Sequence, residues 1–260
     1  INIALNDLGF VDFKEPFKRL IHQGMITKDG AKMSKSKGNT VSPDEFVDKY
    51  GSDVFRMYLM FMGPFTQGGD WNDKGITGIV RFEDKFWNLI SDANEASASK
   101  AVSDEASDEV KNLLHKTIKR VTKDIEDFHF NTAISALMEF INFVSKDGID
   151  KETAKILVQL IAPMAPHLAE ECWELLGGEY SVFDSGWPKF DPALAKDSVI
   201  TYGIQVNGKL RGTIDAPADA GKDEVLAGAK ALPNVSKYLE EGEVVKEIFV
   251  QGKIVGFVVR

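Results

Sequence analysis

The sequence predicts a mostly α-helical fold that ends in a small α+β domain. Between about residues 76 and 177, apolar residues recur every three or four positions, a spacing typical of amphipathic helices. Short links between these segments favour an antiparallel helical bundle. After residue 188 the pattern changes to alternation, with turn dipeptides at Asn207-Gly208 and Gln251-Gly252. Two short helices separate the two predicted hairpins, so the tail is expected to fold as ββααββ.

Composition places the chain among soluble globular proteins of about two domains. It has 260 residues, of which 43% are hydrophobic and 27% charged. No apolar run approaches the roughly 18 residues that a membrane span needs. The single cysteine, Cys172, excludes a disulfide framework and favours a reducing, cytoplasmic location. The first residues read like the middle of a longer protein, so we expect the natural chain to extend further.

The net charge of −9 argues mildly against a nucleic-acid partner. The charge is uneven, however. Residues 101–200 contain 10 basic and 18 acidic residues, a net charge of −8, whereas residues 201–260 contain eight of each. Local basic surfaces therefore have to be judged individually.

Glycine, proline and helix-capping residues divide the first 70 positions into short elements. Residues 15–23 have apolar positions at helical spacing and predict a short helix, which a strand over 24–27 and a turn at Asp29-Gly30 follow. Ser42 is expected to cap a helix with Pro43 in its first turn and Glu45 completing a capping box. Ser52 is expected to cap the next helix.

The remaining elements follow from the two periodicities. The predicted helices cover about residues 76–93, 108–128, 131–144, 153–161 and 166–176, with a loop or flexible linker over residues 92–107. The predicted tail contains strands 199–206 and 209–214, helices 222–231 and 234–240, and strands 243–250 and 253–259.

The stretch from Lys32 to Asn39 is the most informative part of the sequence. Three lysines, at positions 32, 35 and 37, lie among serines and a glycine, and together they make a compact, positively charged loop. Ammonium groups, hydroxyls and backbone N–H groups suit the oxygens of a polyphosphate. The residues alone leave two interpretations open: a phosphate-binding loop, and a solvated basic loop or localisation patch.

Residues 32–36 read KMSKS, which resembles the signature of the class I aminoacyl-tRNA synthetases letter for letter. The flanking segments 15–17, 23–26, 42–43 and 50–53 resemble that family too. The resemblance implies that the loop closes over ATP, accompanied by Mg²⁺, and binds it through Lys32, Met33, Ser34, Lys35 and Ser36. It also implies that Lys32 and Lys35 act catalytically, by stabilising charge on the departing pyrophosphate.

Further segments resemble the leucine-specific branch of this family more than its isoleucine, valine or methionine relatives. They are FMGP at 61–64, FNTAI at 130–134, the stretch 160–171 and VNGKLR at 206–211. The resemblance implies an enzyme that activates leucine to leucyl-adenylate and transfers it to tRNA-Leu. The family's other signature, HIGH, is absent from the sequence, so this chain is expected to be inactive alone and to hold no bound cofactor.

The resemblance divides the chain into four parts. Residues 1–40 are expected to be the end of a Rossmann catalytic domain, and 41–70 to be linking helices of the stem-contact type. Residues 71–195 are expected to form a helical bundle of the anticodon-binding type, and 196–260 a tRNA-binding α+β domain. A monomer with a mobile KMSKS loop is expected, as are cytoplasmic location, no membrane contact and no metal-ligand cluster.

Two basic patches are candidate tRNA contacts. Lys116, Lys119, Arg120 and Lys123 fall on one face of a predicted helix inside the most acidic part of the chain. A solvated face with ion pairs one turn apart explains the same pattern. Lys209 and Arg211 are predicted to point outward from one face of a strand, and ordinary exposed strand charge is again the alternative.

Two other functions fit parts of the sequence. A free-standing tRNA-binding module would retain the tRNA surfaces and have no enzyme activity. A helical scaffold with a localisation patch would explain the lysines and leave the ordered series of resembling segments unexplained.

Overall fold

The computed structural model describes residues 1–99, 106–145, 148–196, 199–218, 220–240 and 242–260. The chain forms two compact units, Ile1–Ala195 and Lys196–Arg260. Helices make up most of the regular structure in the first unit, and each unit contains one small mixed sheet. The prediction of a mostly helical chain with a small α+β tail is confirmed at this level.

The N-terminal segment carries one short helix, α1 (Asn2–Asp7). The predicted helix over residues 15–23 is wrong, because no helix forms there. Its intended apolar face has nothing to pack against, and Phe17 and Leu20 remain 83% and 78% exposed. Short helices are only marginally stable in water unless packing stabilises them. The spacing of apolar residues was therefore not sufficient to predict a helix here.

The first sheet has the strand order β2-β1-β3. The hairpin of β1 (Met25–Lys28) and β2 (Ala31–Lys32) is antiparallel, and β3 (Gly68–Trp71) runs parallel to β1. The chain comes very close to itself just before β1 and at the start of β3. A Cβ atom on Gly24 would lie 1.9 Å from the backbone nitrogen of Gly68, so only glycine fits there.

Helices α2 (Pro43–Tyr50) and α3 (Ser52–Phe61) connect β1–β2 to β3. Pro43 opens α2, as predicted, but the capping box is wrong because the Ser42 side chain makes no cap hydrogen bond. Asp44 and Glu45 instead place two carboxylates in the first turn, where they complement the helix dipole. Ser52 is the first residue of α3 rather than its cap, and Gly51 precedes it with a φ of 87°.

Five further helices complete the first unit: α4 (Ile76–Ser99), α5 (Asp108–Glu126), α6 (Phe130–Val144), α7 (Lys151–Ile161) and α8 (Pro166–Leu175). The linker predicted over residues 92–107 is wrong for 92–99, which continue α4. Alanine and glutamate propagate a helix well, and Ala93 is still buried on its packed face. Residues 100–105 of that linker lie outside the described residues.

The core of the first unit follows the predicted apolar stripes. Phe86, Ile118, Leu137 and Phe140 are fully buried, and so is Cys172. Burial raises the pKa of the Cys172 thiol to about 12, which keeps it protonated and unreactive. None of the described helices is long and apolar enough to cross a membrane.

The second unit is a four-stranded sheet with two helices. The sheet order is β5-β4-β7-β6, built from β4 (Val199–Val206), β5 (Lys209–Pro217), β6 (Val244–Val250) and β7 (Ile254–Val259). Helices α9 (Lys222–Lys230) and α10 (Pro233–Glu240) connect the two hairpins. The element order is the ββααββ series predicted from the sequence. Alternate residues Tyr202, Ile204 and Val206 are buried in the core of this unit.

Candidate nucleotide-binding loop and nucleic-acid surfaces

The lysine-rich loop begins from a tight hairpin at the edge of the first sheet. Asp29 and Gly30 form its turn with φ angles of 55° and 70°, the left-handed pair that two-residue hairpins favour. The Asp70 carboxylate in β3 accepts hydrogen bonds from the Thr27 hydroxyl at 2.5 Å and from the Gly30 backbone N–H at 2.9 Å. Both bonds lower the pKa of Asp70, and the bond from Thr27 has the larger effect. The base of the loop is therefore tied to a neighbouring strand.

Inside the loop, one side chain bridges its two ends. The Oδ1 atom of Asn39 accepts a hydrogen bond from the Ser34 N–H at 2.9 Å, and its Nδ2 donates to the Lys32 carbonyl at 3.3 Å. Residues Lys35–Lys37 form a single 3₁₀ turn, which ends at Gly38 with a φ of 68°. The loop thus has a defined internal conformation.

The lysines of the loop point away from this framework. Lys32, Lys35 and Lys37 are exposed, whereas Met33 is half-buried and packs against the core of the first unit. Within the described parts of the chain, no carboxylate lies within 4 Å of these three ammonium groups. The Ser34 and Ser36 hydroxyls lie 3.3 Å apart beside them. Three unneutralised cations with adjacent hydroxyls form a surface suited to a polyphosphate.

Sequence reasoning missed two residues of this site. Neither Asn39 nor Asp70 is assigned a role from the sequence alone. Asn39 carried a usable signal, since an amide seven residues after Lys32 can reach back to the backbone where a short loop begins. Asp70 carried none, because its contact with Gly30 spans 40 residues of sequence.

The predicted basic face on α5 is largely occupied by ion pairs. Arg120 donates to Glu139 at 2.7 Å and lies 3.8 Å from Asp124. Lys123 pairs with Asp127 one turn away, a hydrogen bond that raises the pKa of Lys123. These are the contacts that the solvated-face interpretation predicts.

The other two lysines of that face differ in their surroundings. Lys119 is exposed, with its ammonium 5.8 Å from the centre of the Phe190 ring, and Lys116 is half-buried. The face therefore presents less free charge than its sequence suggests.

On β5, Lys209 and Arg211 do not point outward together as predicted. The pairing register shifts so that Gln205 faces Leu210 while Ile204 faces Gly212, which leaves Arg211 as the extra residue of a bulge. Its guanidinium packs 4.4 Å from the Tyr238 ring centre, and its Nε is buried. Lys209 is exposed as expected, whereas Arg211 is half-buried and serves the packing of this unit.

A second polar cluster joins α3, α4 and α8. Asp53 is 6% exposed, and it accepts hydrogen bonds from His167 Nδ1 and from the Leu168 N–H, both at 2.8 Å. Desolvation, with the nearby charges of Asp53 and Asp84, raises the pKa of Glu83 to about 7. The cluster fixes helix packing through these contacts. No group of three or more His, Cys, Asp or Glu side chains in the described ranges is placed to hold a metal.

An open cavity of about 680 Å³ borders β1 on the side of α3. Its walls are apolar side chains and glycine backbone, including Met25, Leu59, Pro64 and Phe130. It has no charged lining residue, so it differs in character from the lysine loop.

Two family models match most of the described chain. The model of class I tRNA synthetases of the isoleucine, leucine, methionine and valine type matches residues 7–72. The anticodon-binding domain of tRNA ligases matches residues 108–226. The first match contains the lysine loop, and the second contains α5 to α8. The chain belongs to the class I aminoacyl-tRNA synthetase family.

Within that family the chain matches leucine–tRNA ligases. It is 46% identical over 259 residues to the enzyme of Chlorobaculum parvum, covering 99% of this chain and 32% of that relative. It is 45% identical over 274 residues to the enzyme of Clostridium perfringens, of which it covers 34%. The chain thus spans about a third of the length of the curated relatives that it matches.

A solved structure agrees with these matches. The crystal structure of the ternary complex of Agrobacterium radiobacter K84 LeuRS with tRNA and LeuAMS superposes with a TM-score of 0.83 at 31% identity. The match covers 100% of this chain and 36% of that one. Sequence and fold therefore assign the chain to the same branch of the family.

Proposed function

We propose that this chain is part of a leucine–tRNA ligase. That enzyme activates leucine with ATP to leucyl-adenylate and transfers the leucyl group to tRNA-Leu. The observation that carries the proposal is the lysine loop. Three exposed ammonium groups, with no carboxylate partner among the described residues, lie on a loop that Asn39 bridges. The relatives that the chain matches are leucine–tRNA ligases. The alternative of an isoleucine, valine or methionine enzyme gains no support from these relatives.

The proposed chemistry assigns a charge-stabilising role to the loop. When the leucine carboxylate attacks the α-phosphate of ATP, the bond to the β-phosphate breaks and negative charge accumulates on pyrophosphate. Lys32 and Lys35 would lie against that leaving group, with Met33, Ser34 and Ser36 completing the ATP-binding loop. Fixed cations aimed at developing charge stabilise a transition state more than the bound substrate.

Magnesium enters this proposal only as the companion of ATP. The described residues contain no carboxylate or imidazole cluster that fits a metal, so we derive no step through one. In the proposed enzyme, the nucleotide phosphates would bring the ion to the site.

The segments have separate roles in the proposal. Residues 1–40 would contribute the loop to a Rossmann catalytic domain, and 41–70 would connect it to the helices. Residues 71–195 would form an antiparallel bundle of the anticodon-binding type, and 196–260 would bind tRNA with Lys209 at its surface. The enzyme would act as a monomer in the cytoplasm. This chain alone would be inactive, since the HIGH signature is absent from its sequence.

Amino-acid-dependent ATP–pyrophosphate exchange tests the function. The natural full-length protein that contains this chain should exchange pyrophosphate with leucine at least about 100-fold more efficiently than with isoleucine, valine or methionine. The 260-residue chain should show no exchange. Equal activity with two of these amino acids, or exchange by the chain alone, would contradict the proposal.

A further inference from the structure

The loop that carries the lysines is held from inside by one amide side chain. Asn39 bonds the backbone at two points of the loop, through Oδ1 to the Ser34 N–H and through Nδ2 to the Lys32 carbonyl. Both functional atoms of the amide are therefore used on the loop itself.

The rest of the loop depends on this bridge. Ser34 is held in extended conformation, with φ of −153° and ψ of 147°, and the 3₁₀ turn begins directly after it. That turn has two weak hydrogen bonds of its own, from Lys37 to the Ser34 carbonyl and from Gly38 to the Lys35 carbonyl, both 3.2 Å. A single 3₁₀ turn is only marginally stable in water. A bridge across the start of the turn therefore raises the fraction of molecules in which the turn is formed.

We propose that Asn39 is a positioning residue that holds Lys32–Gly38 in one internal conformation, so that the lysines meet the charge developing on pyrophosphate as a preformed unit. This inference rests on the proposed function and adds a specific role for a residue outside the KMSKS motif. A loop whose lysines keep a fixed spacing does not have to be ordered in each catalytic cycle. Ordering each free backbone residue would otherwise oppose closure.

The inference predicts a particular kinetic signature. The lysines stabilise charge that develops in the transition state, so loosening them should reduce kcat and leave the KM for ATP nearly unchanged. In the full-length enzyme, Asn39→Ala should lower kcat for pyrophosphate exchange on the order of tenfold, within the range expected for losing one ordinary hydrogen bond and one longer, weaker one. The KM for ATP should change by less than about twofold.

The chain offers a matched control in its second unit. Asn207 makes the same kind of two-point contact, accepting from the Val259 N–H at 2.9 Å and donating to the Val259 carbonyl at 3.0 Å. Asn207→Ala removes a comparable bridge far along the sequence from the loop. It should lower stability without changing kcat or the KM for ATP in pyrophosphate exchange, a reaction measured without tRNA.

A second measurement does not depend on catalysis. Hydrogen exchange of the Ser34 amide in this chain should accelerate in Asn39→Ala. Asn39→Asp keeps an acceptor for that amide, so its protection should be intermediate. Asn39→Ser serves as a second loop variant, because a hydroxyl is too short to bridge both backbone groups.

The outcomes separate the inference from the function that it extends. Unchanged kcat in Asn39→Ala, a change confined to the KM for ATP, or an equal loss in Asn207→Ala would overturn the inference. Unchanged Ser34 exchange in Asn39→Ala would overturn it as well. If Lys35→Ala retains full exchange activity, the proposed function itself fails. Loss in Lys35→Ala with no change in Asn39→Ala would remove only the positioning role.

Discussion

At the scale of single residues, two buried tyrosines show that a hydrogen-bond partner decides whether a buried hydroxyl stabilises or destabilises the fold. Tyr58 and Tyr202 are 4% and 0% exposed. The Tyr58 hydroxyl donates to the Asn72 carbonyl at 2.8 Å, whereas the buried Tyr202 hydroxyl has no partner among the described residues. A buried polar group without a partner costs about 1–3 kcal/mol.

These environments predict opposite effects for the same substitution. Tyr202→Phe should raise the free energy of unfolding of the second unit by about 1 kcal/mol, because it removes an unsatisfied group. Tyr58→Phe should lower that of the first unit by about 1 kcal/mol, because it leaves the Asn72 carbonyl without its donor. Urea unfolding of the 260-residue chain measures both. Destabilisation by both variants would show that Tyr202 has a partner in solution.

Glu83 makes the stability of the first unit depend on pH. Its pKa is raised from 4.5 to about 7, chiefly by desolvation and then by the charges of Asp53 and Asp84. Below pH 4.5 the carboxyl is protonated in both states, so its contribution is fully present. As pH rises from 4.5 through 7, the unfolded chain ionises first, and this contribution is lost.

Glu83→Gln should therefore stabilise the chain at pH 8 and have little effect at pH 4. The full shift would correspond to about 3 kcal/mol, and partial solvent exposure reduces the expected gain to about 1–2 kcal/mol. The stability difference between variant and parent, measured by urea unfolding from pH 4 to 8, isolates Glu83 from other titrating groups. A difference that does not vary with pH would contradict this account.

At the scale of helices and strands, periodicity predicted what packing stabilises and failed where packing is missing. The stripes of α5 to α8 are long enough to define a buried face, and those helices form close to their predicted bounds. Residues 15–23 have similar spacing and no partner surface, and they stay irregular. The bulge at Arg211 could not be predicted, since alternation assumes a strand without extra residues.

The charges of α5 belong to this scale as well. Arg120 and Lys123 are engaged by carboxylates, whereas Lys119 lies exposed near the Phe190 ring, and its charge remains available to a phosphate. Lys119→Ala should weaken binding of tRNA-Leu to the chain and reduce the slope of log affinity against log salt by about one.

Lys155→Ala is a suitable control for that measurement. Lys155 lies on α7 and pairs with Glu152, so its removal changes the net charge equally without touching the α5 face. Filter-binding titrations between about 50 and 200 mM salt give both slopes. Equal effects of the two variants would mean that Lys119 acts through net charge alone.

At the scale of the whole molecule, the sequence predicted the classes of structure better than the details of the site. The KMSKS letters identified the loop, and the change from helical to alternating pattern identified the α+β tail. The contacts that shape the loop were less accessible. Asn39 is signalled only by its spacing from Lys32, and Asp70 contacts the turn across 40 residues of sequence. Such tertiary contacts appear only once the chain is folded.

The central claim is that the exposed ammonium groups of Lys32 and Lys35 neutralise departing pyrophosphate. The most direct test is leucine-dependent ATP–pyrophosphate exchange by the full-length enzyme with both lysines replaced by alanine. Loss of each stabilising group should lower kcat by roughly 100-fold or more, because the charge appears in the transition state. A matched Lys155→Ala enzyme should keep its full rate. If the double variant forms leucyl-adenylate as fast as the parent, the assignment of this loop is wrong.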